Sequence, residues 1–242
     1  MESQNFAAIR ERISQPPKQS HLRDFIYGGI DGTVTTFAVV AGVAGAQLST
    51  TIVIILGVAN LIADGFSMAV SNYLATRAER QERDLARSRE EREVRELPEE
   101  EREEIRQIFS LKGFAGEDLD RVVDVITSNP RLWVDTMMAE EYGYGSVSEE
   151  PTRAAASTFA AFVIVGFIPL FAFVANGIFP SKIQAPFVWS AVMTGVAFFA
   201  VGALKSRFVA QRWWLSGLET LVVGGVAAVI AYGLGSFLEN LT

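Results

Sequence analysis

The sequence predicts an all-α membrane protein with five transmembrane helices and a cytosolic helical insertion between the second and third. Three observations carry that prediction. Half of the 242 residues are hydrophobic, the mean hydropathy is positive, and the apolar residues are gathered into long runs rather than spread over a soluble surface. Charge is equally segregated: 19 of the 28 acidic residues fall between Glu79 and Glu141, so the net charge of −7 belongs to one stretch. Finally, the segment from Thr51 to Leu97 begins apolar (TIVIILGVANLIADGFSMAV) and continues polar (SNYLATRAERQERDLARSREEREVREL) without a proline to stop it. At about 1.5 Å per residue, one helix can cross a bilayer and extend beyond it.

Taken in order, residues 1–23 form a polar, charged cytosolic tail broken at Pro16-Pro17, with no apolar core of a cleavable signal. The first span covers Asp24 to Ala46. Its small residues Gly28, Gly32, Ala38, Gly42 and Ala46 permit close helix packing. The turn QLST leads to the second span, so residues 24–79 hold the first two transmembrane helices. Residues 80–150 make an acidic helical domain. Its arm ends at Leu97-Pro98, where proline and the acids Glu99, Glu100 and Glu101 suit a new helix N-terminus running to Leu111. Leu119, Val122, Val123 and Ile126 mark a helix from Glu117 to Ser128, and Asn129-Pro130 opens another, ended by Gly143 and Gly145. Residues 151–242 supply three more spans: Ala154–Ile178 with Pro169 inside, Ala185–Leu204 and Trp213–Leu238.

Basic residues set the orientation. The N-terminal tail carries four, the segment Arg77–Arg153 thirteen and the 205–212 loop three, against Lys182 alone on the opposite side. The N-terminus and the acidic domain are therefore expected in the cytosol. The short tail without a targeting segment leans toward a bacterial plasma membrane, with a vacuolar-type membrane the eukaryotic counterpart. Acidity excludes nucleic acid as a partner. The absence of Cys excludes disulfides and thiolate sites, and His21 is the only histidine. No phosphate-binding glycine loop and no Ser/His/Asp set is present, which argues against an enzyme and against ATP-driven transport within this chain.

Two groups of residues can carry chemistry. Within the spans, Asp31 lies among Gly32, Thr33, Thr35 and Thr36. A carboxylate at that depth is costly unless paired, hydrated or neutralised, so it marks an ion path. Asp24, seven residues earlier, belongs to the same candidate path. Asp64, Met68 and Asn72 recur every fourth residue on one face of the second span, and Asn60 extends the row. In the acidic domain, Glu90 and Glu93 share one helix face and Glu101 and Glu104 another, and the break at Pro98 lets the two helices fold together. Met137, Met138 and Glu141 recur at helical spacing farther on. Two readings of the glutamates stand side by side at this point. They make a metal site, or they make a solvated helix whose charges are answered by Arg83, Arg87, Arg89, Arg92 and Arg95. For a metal, carboxylate and thioether ligands without Cys or His favour Fe2+ and Mn2+, with Zn2+ and Co2+ weaker candidates.

The stretches DGTVTTFAVVAGVAGA, GFSMAVSNYLATRAE, EEREVRELPEEEREEIRQIF and NPRLWVDTMMAEEYG together resemble the vacuolar iron transporter (VIT) family over nearly the whole chain after residue 20. The resemblance implies a proton-coupled exporter of cytosolic Fe2+, often also Mn2+, acting as a homodimer with its path at the subunit interface. It implies that Asp31 and Met68 lie on the ion path. It likewise implies that Glu90, Glu93, Glu101, Glu104, Met137, Met138 and Glu141 form a cytoplasmic metal-binding set. Nodulin-related members lack the insertion, so its presence fits the iron-type branch. One departure stands out: the family pattern has a glutamate near the position of Asn60, and here the nearest acid on that span is Asp64. A non-transporting metal sensor or buffer and an uncoupled divalent-cation channel are the rival functions.

Overall fold

The computed structural model describes residues 9–10, 13, 21–145, 149–179 and 184–241. Pro16-Pro17 and Lys182 lie outside them. The described residues form helices and no strands: α1 Leu22–Gly45, α2 Thr50–Glu96, α3 Pro98–Leu111, α4 Gly116–Thr127, α5 Pro130–Glu140, α6 Pro151–Gly166, α7 Ile168–Ile178, α8 Pro186–Lys205 and α9 Trp213–Glu239. Two compact units emerge, one including Thr76–Glu149 and the other made of Ser20–Ala75 with Glu150–Thr242. The unbroken helix α2, 47 residues long, contributes to both.

In the second unit α1 is the central helix, packed against α6, α7, α8 and α9. Glycines let it get close. A Cβ on Gly28 would stand 2.6 Å from the Thr158 carbonyl oxygen of α6, and one on Gly32 2.5 Å from that of Phe162. Gly45 and Gly235 make the same kind of backbone contact between α1 and α9. Helix α2 buries a single strip, Val53, Gly57, Leu61, Gly65 and Ala69, at four-residue spacing. Its other faces expose Ile55, Ile62, Phe66, Val70 and Leu74.

Four helices, α1, α2, α8 and α9, are long and apolar enough to cross a membrane, and the pair α6–α7 makes a fifth if counted as one span. The continuous helix expected over Ala154–Ile178 is instead broken at Phe167 and bent by 52°. The cause is Pro169, which has no N–H for the helical ladder and sits in the first turn of α7. Ser190 of α8 donates a 2.6 Å hydrogen bond to the Pro169 carbonyl, which anchors the bend.

The first unit is a small helical bundle. Ala86 and Val94 of α2, Ile105 of α3, Leu119, Val123 and Ile126 of α4, and Trp133, Val134, Met137 and Met138 of α5 form its core. Asn129 caps α5 by accepting hydrogen bonds from the backbone N–H groups of Arg131 and Leu132 at 3.0 and 3.3 Å. Arg102 pairs with Asp124, and Arg106 with Asp120 at 2.7 Å, tying α3 to α4. The turn between those helices uses Gly113 and Gly116, both at positive φ.

Gly32→Ala drives a methyl group into the α6 backbone and is expected to cost about 1–3 kcal/mol. Gly225→Ala meets nothing within 4 Å and is expected to be neutral or slightly stabilising. Thermal unfolding of the two variants in detergent checks the contrast.

Candidate metal centre

Helix α2 presents Ala86, Glu90 and Val94 on one buried strip, so the spacing that builds the core also carries a carboxylate into it. Leu97 then ends the helix, and α3 restarts at Pro98 with Glu101 four residues before the buried Ile105. The result brings Glu90, Glu93 and Glu101 together, with one carboxylate oxygen from each within 4.8 Å of the others. Glu90 and Glu101 are only 1% and 5% exposed, and each keeps one buried oxygen, Oε2, without a hydrogen-bond partner. Buried carboxylate oxygens left unpaired are costly, and a cation or proton supplies what is missing. Glu104 and Glu141 lie at the exposed margin, near enough for their charges to act on the cluster. Met137 shares a helix face with Glu141, and Met137 and Met138 are both buried in the adjoining core.

Electrostatics follow from this crowding. Burial, then the charges of Glu90, Glu104, Glu93 and Glu141, pushes the Glu101 carboxyl up to about 7. Glu90 is also raised, chiefly by burial, while the hydrogen bond donated by the Tyr142 hydroxyl at 3.0 Å pulls it partly back. Burial and the charges of Glu104 and Glu93 raise Glu141, and Arg89 opposes them. Tyr142 itself is pushed up to about 12, first by burial and then by its bond to Glu90, so it remains a donor. The arginines expected to interleave with these acids do so only at the edge. Arg87 reaches Glu91 at 3.1 Å and Asp135 at 2.8 Å, and among the described residues no ion pair reaches Glu90, Glu93 or Glu101. Tyr142 and the Arg87–Asp135 pair were not singled out in the sequence; the adjacency of Tyr142 to Glu141 is the only hint it held.

The residues of the other unit are placed differently. Asp31 is exposed on α1, and Asp64 is half-buried on α2. Met68 is half-buried against the core one turn beyond Asp64. Asn72 Nδ2 donates to Asp24 Oδ1 at 3.1 Å and to Thr158 Oγ1 at 2.8 Å, joining α1, α2 and α6. Asn60 holds a buried Nδ2 with no partner.

Apolar spans joined to an acidic helical unit with an under-neutralised carboxylate cluster define a polytopic helical membrane protein. The sequence profile of the VIT family matches residues 22–236, and the chain belongs to that family. It is 35% identical over 226 residues to the vacuolar iron transporter of Toxoplasma gondii, covering 90% of this chain and 74% of that protein. It is 33% identical over 222 residues to vacuolar iron transporter 1 of Arabidopsis thaliana, covering 90% and 86%. With vacuolar iron transporter 1 of Oryza sativa subsp. japonica the identity is 32% over 220 residues.

Glu101 titrates above its ordinary 4.5, so between 4.5 and about 7 the folded metal-free unit holds a proton that the unfolded chain has lost. That contribution to stability is complete below 4.5 and disappears as pH rises through about 7. A divalent ion bound to this carboxylate would displace the same proton. Mn2+ affinity is therefore expected to rise by up to tenfold per pH unit below 7 and to level off above it. Isothermal titration at several pH values checks this, with Glu101→Gln expected to weaken binding and flatten the dependence.

Proposed function

We propose that the protein exports Fe2+, and also Mn2+, from the cytosol across a membrane in exchange for protons, working as a homodimer. The names of its relatives support iron as cargo. In this reading the glutamate unit is cytosolic and captures the ion. Glu90, Glu93 and Glu101 form its centre, Glu104 and Glu141 its margin, and the Met137 and Met138 thioethers temper it toward the softer end of the borderline ions. The ion then passes to Asp31, Asp64 and Met68. Five spans, with α6 and α7 as one bent crossing, put the C-terminus on the far side. The membrane is the bacterial plasma membrane, or a vacuolar-type membrane in a eukaryotic cell.

One observation carries the proposal: Asp31 is exposed on a helix apolar enough to span the bilayer, with Asp64 half-buried on the neighbouring span. A carboxylate cannot stand in hydrocarbon uncovered, so a second copy must close over it. Two repelling acids behind that cover form a place where a divalent cation is stabilised and where protons must replace it once it leaves. Asn60 removes one titratable group from the family pattern, which leaves Asp31 and Asp64 to carry the protons.

Uptake of Mn2+ into proteoliposomes, followed together with lumenal pH, tests this. The intact chain is expected to move Mn2+ inward with loss of lumenal protons, and Asp31→Ala to fall to the protein-free background. Glu90→Gln with Glu101→Gln is expected to preserve the maximal rate while raising the half-saturating Mn2+ concentration about tenfold, a loss of about 1.4 kcal/mol in capture. Normal flux in Asp31→Ala would refute the path. Flux without proton movement would establish a channel, and metal binding without flux a sensor.

A further inference from the structure

We propose that the acidic unit also holds a binding site for a small multivalent anion of the phosphate class, in a groove between α2 and α5 beside the buried strip that carries Glu90. The groove encloses about 380 Å³. Its charged wall is Arg87, Arg95 and Arg131 with the single acid Glu91. Its floor is apolar, made by Val94, Pro130 and Val134. Nothing in the metal-capture chemistry uses this place.

The balance of charge is what sets the groove apart. The stretch from Glu79 to Glu141 carries 19 acids, yet this cavity collects three guanidinium groups against one lining carboxylate. Arg87 is committed, because its Nε and Nη1 donate to Glu91 at 3.1 Å and to Asp135 at 2.8 Å. That bridge fixes the groove's inner edge by tying α2 to α5. The side chains of Arg95 and Arg131 make no hydrogen bond or ion pair among the described residues, and they flank the cavity from the two helices. Two unspent guanidinium forks on separate rigid elements suit a ligand with at least two anionic oxygens, since each fork can take a phosphate bidentately. Pro130 begins α5, so the positive end of that helix adds to the same field. The volume admits a diphosphate with room for an attached apolar or planar group above Val94 and Val134.

The test is titration of inorganic pyrophosphate into the metal-stripped full-length protein in detergent at 150 mM salt, followed calorimetrically. One saturable site per chain is expected, weakened at least tenfold in Arg95→Gln/Arg131→Gln and unchanged in Arg121→Gln, which removes an exposed arginine of α4 outside the groove. Inorganic phosphate is expected to bind more weakly than pyrophosphate, having fewer oxygens to span the two forks. Melting temperature and size-exclusion profile of each variant confirm that folding is intact. The proposal is overturned by absence of saturable heat up to millimolar pyrophosphate, by equal binding to the double variant, or by an equal loss in Arg121→Gln, which would mark diffuse charge attraction.

Discussion

Carboxylates withdrawn from water without a cation to answer them are the constraint on which the acidic unit turns. Burying a charge costs several kcal/mol unless a donor, a proton or a metal compensates, and a second like charge nearby raises that cost. In the acidic unit the chain accepts the cost by placing Glu90 and Glu101 on core-facing strips of α2 and α3, each with one oxygen unpaired. Among the described residues only the Tyr142 hydroxyl answers Glu90 directly. In the proposed reading a proton at low pH or a divalent ion at higher pH completes the site.

The spans apply the same physics with a different enclosure. Asp31 of α1 is open on the surface of the single chain rather than sealed inside it. The glycines that press α1 onto α6 and α9 commit those faces of the helix, while Asp31 stays exposed. Asn72, by holding Asp24 and Thr158 at once, joins α1, α2 and α6.

Much of this was legible from residue order. Apolar runs and their breaks locate α1, α2, α8 and α9 within a residue or two, because a membrane span and a proline or glycine stop are strong local signals. The three-residue spacings at Glu90/Glu93 and Glu101/Glu104, with Pro98 between, pointed to a fold-back that brings carboxylates together. What stayed hidden depends on distance in three dimensions. The bend at Phe167 needed the Ser190 contact as well as Pro169. Tyr142 on Glu90 and Arg87 on Asp135 are pairings across 52 and 48 residues, which no periodicity encodes. Nor could helical spacing tell that the interleaved arginines would leave the central glutamates unneutralised.

Exchange of metal for protons is the central claim, and energetic coupling is its most direct test. Vesicles containing the intact chain would be prepared with equal Mn2+ inside and out and an acidic lumen, and Mn2+ followed with time. Obligate exchange predicts that Mn2+ accumulates inside above the external concentration as protons leave, and that a protonophore abolishes the accumulation. Mn2+ that stays at equilibrium across the membrane despite the proton gradient, while still crossing freely down a gradient of its own, would contradict it.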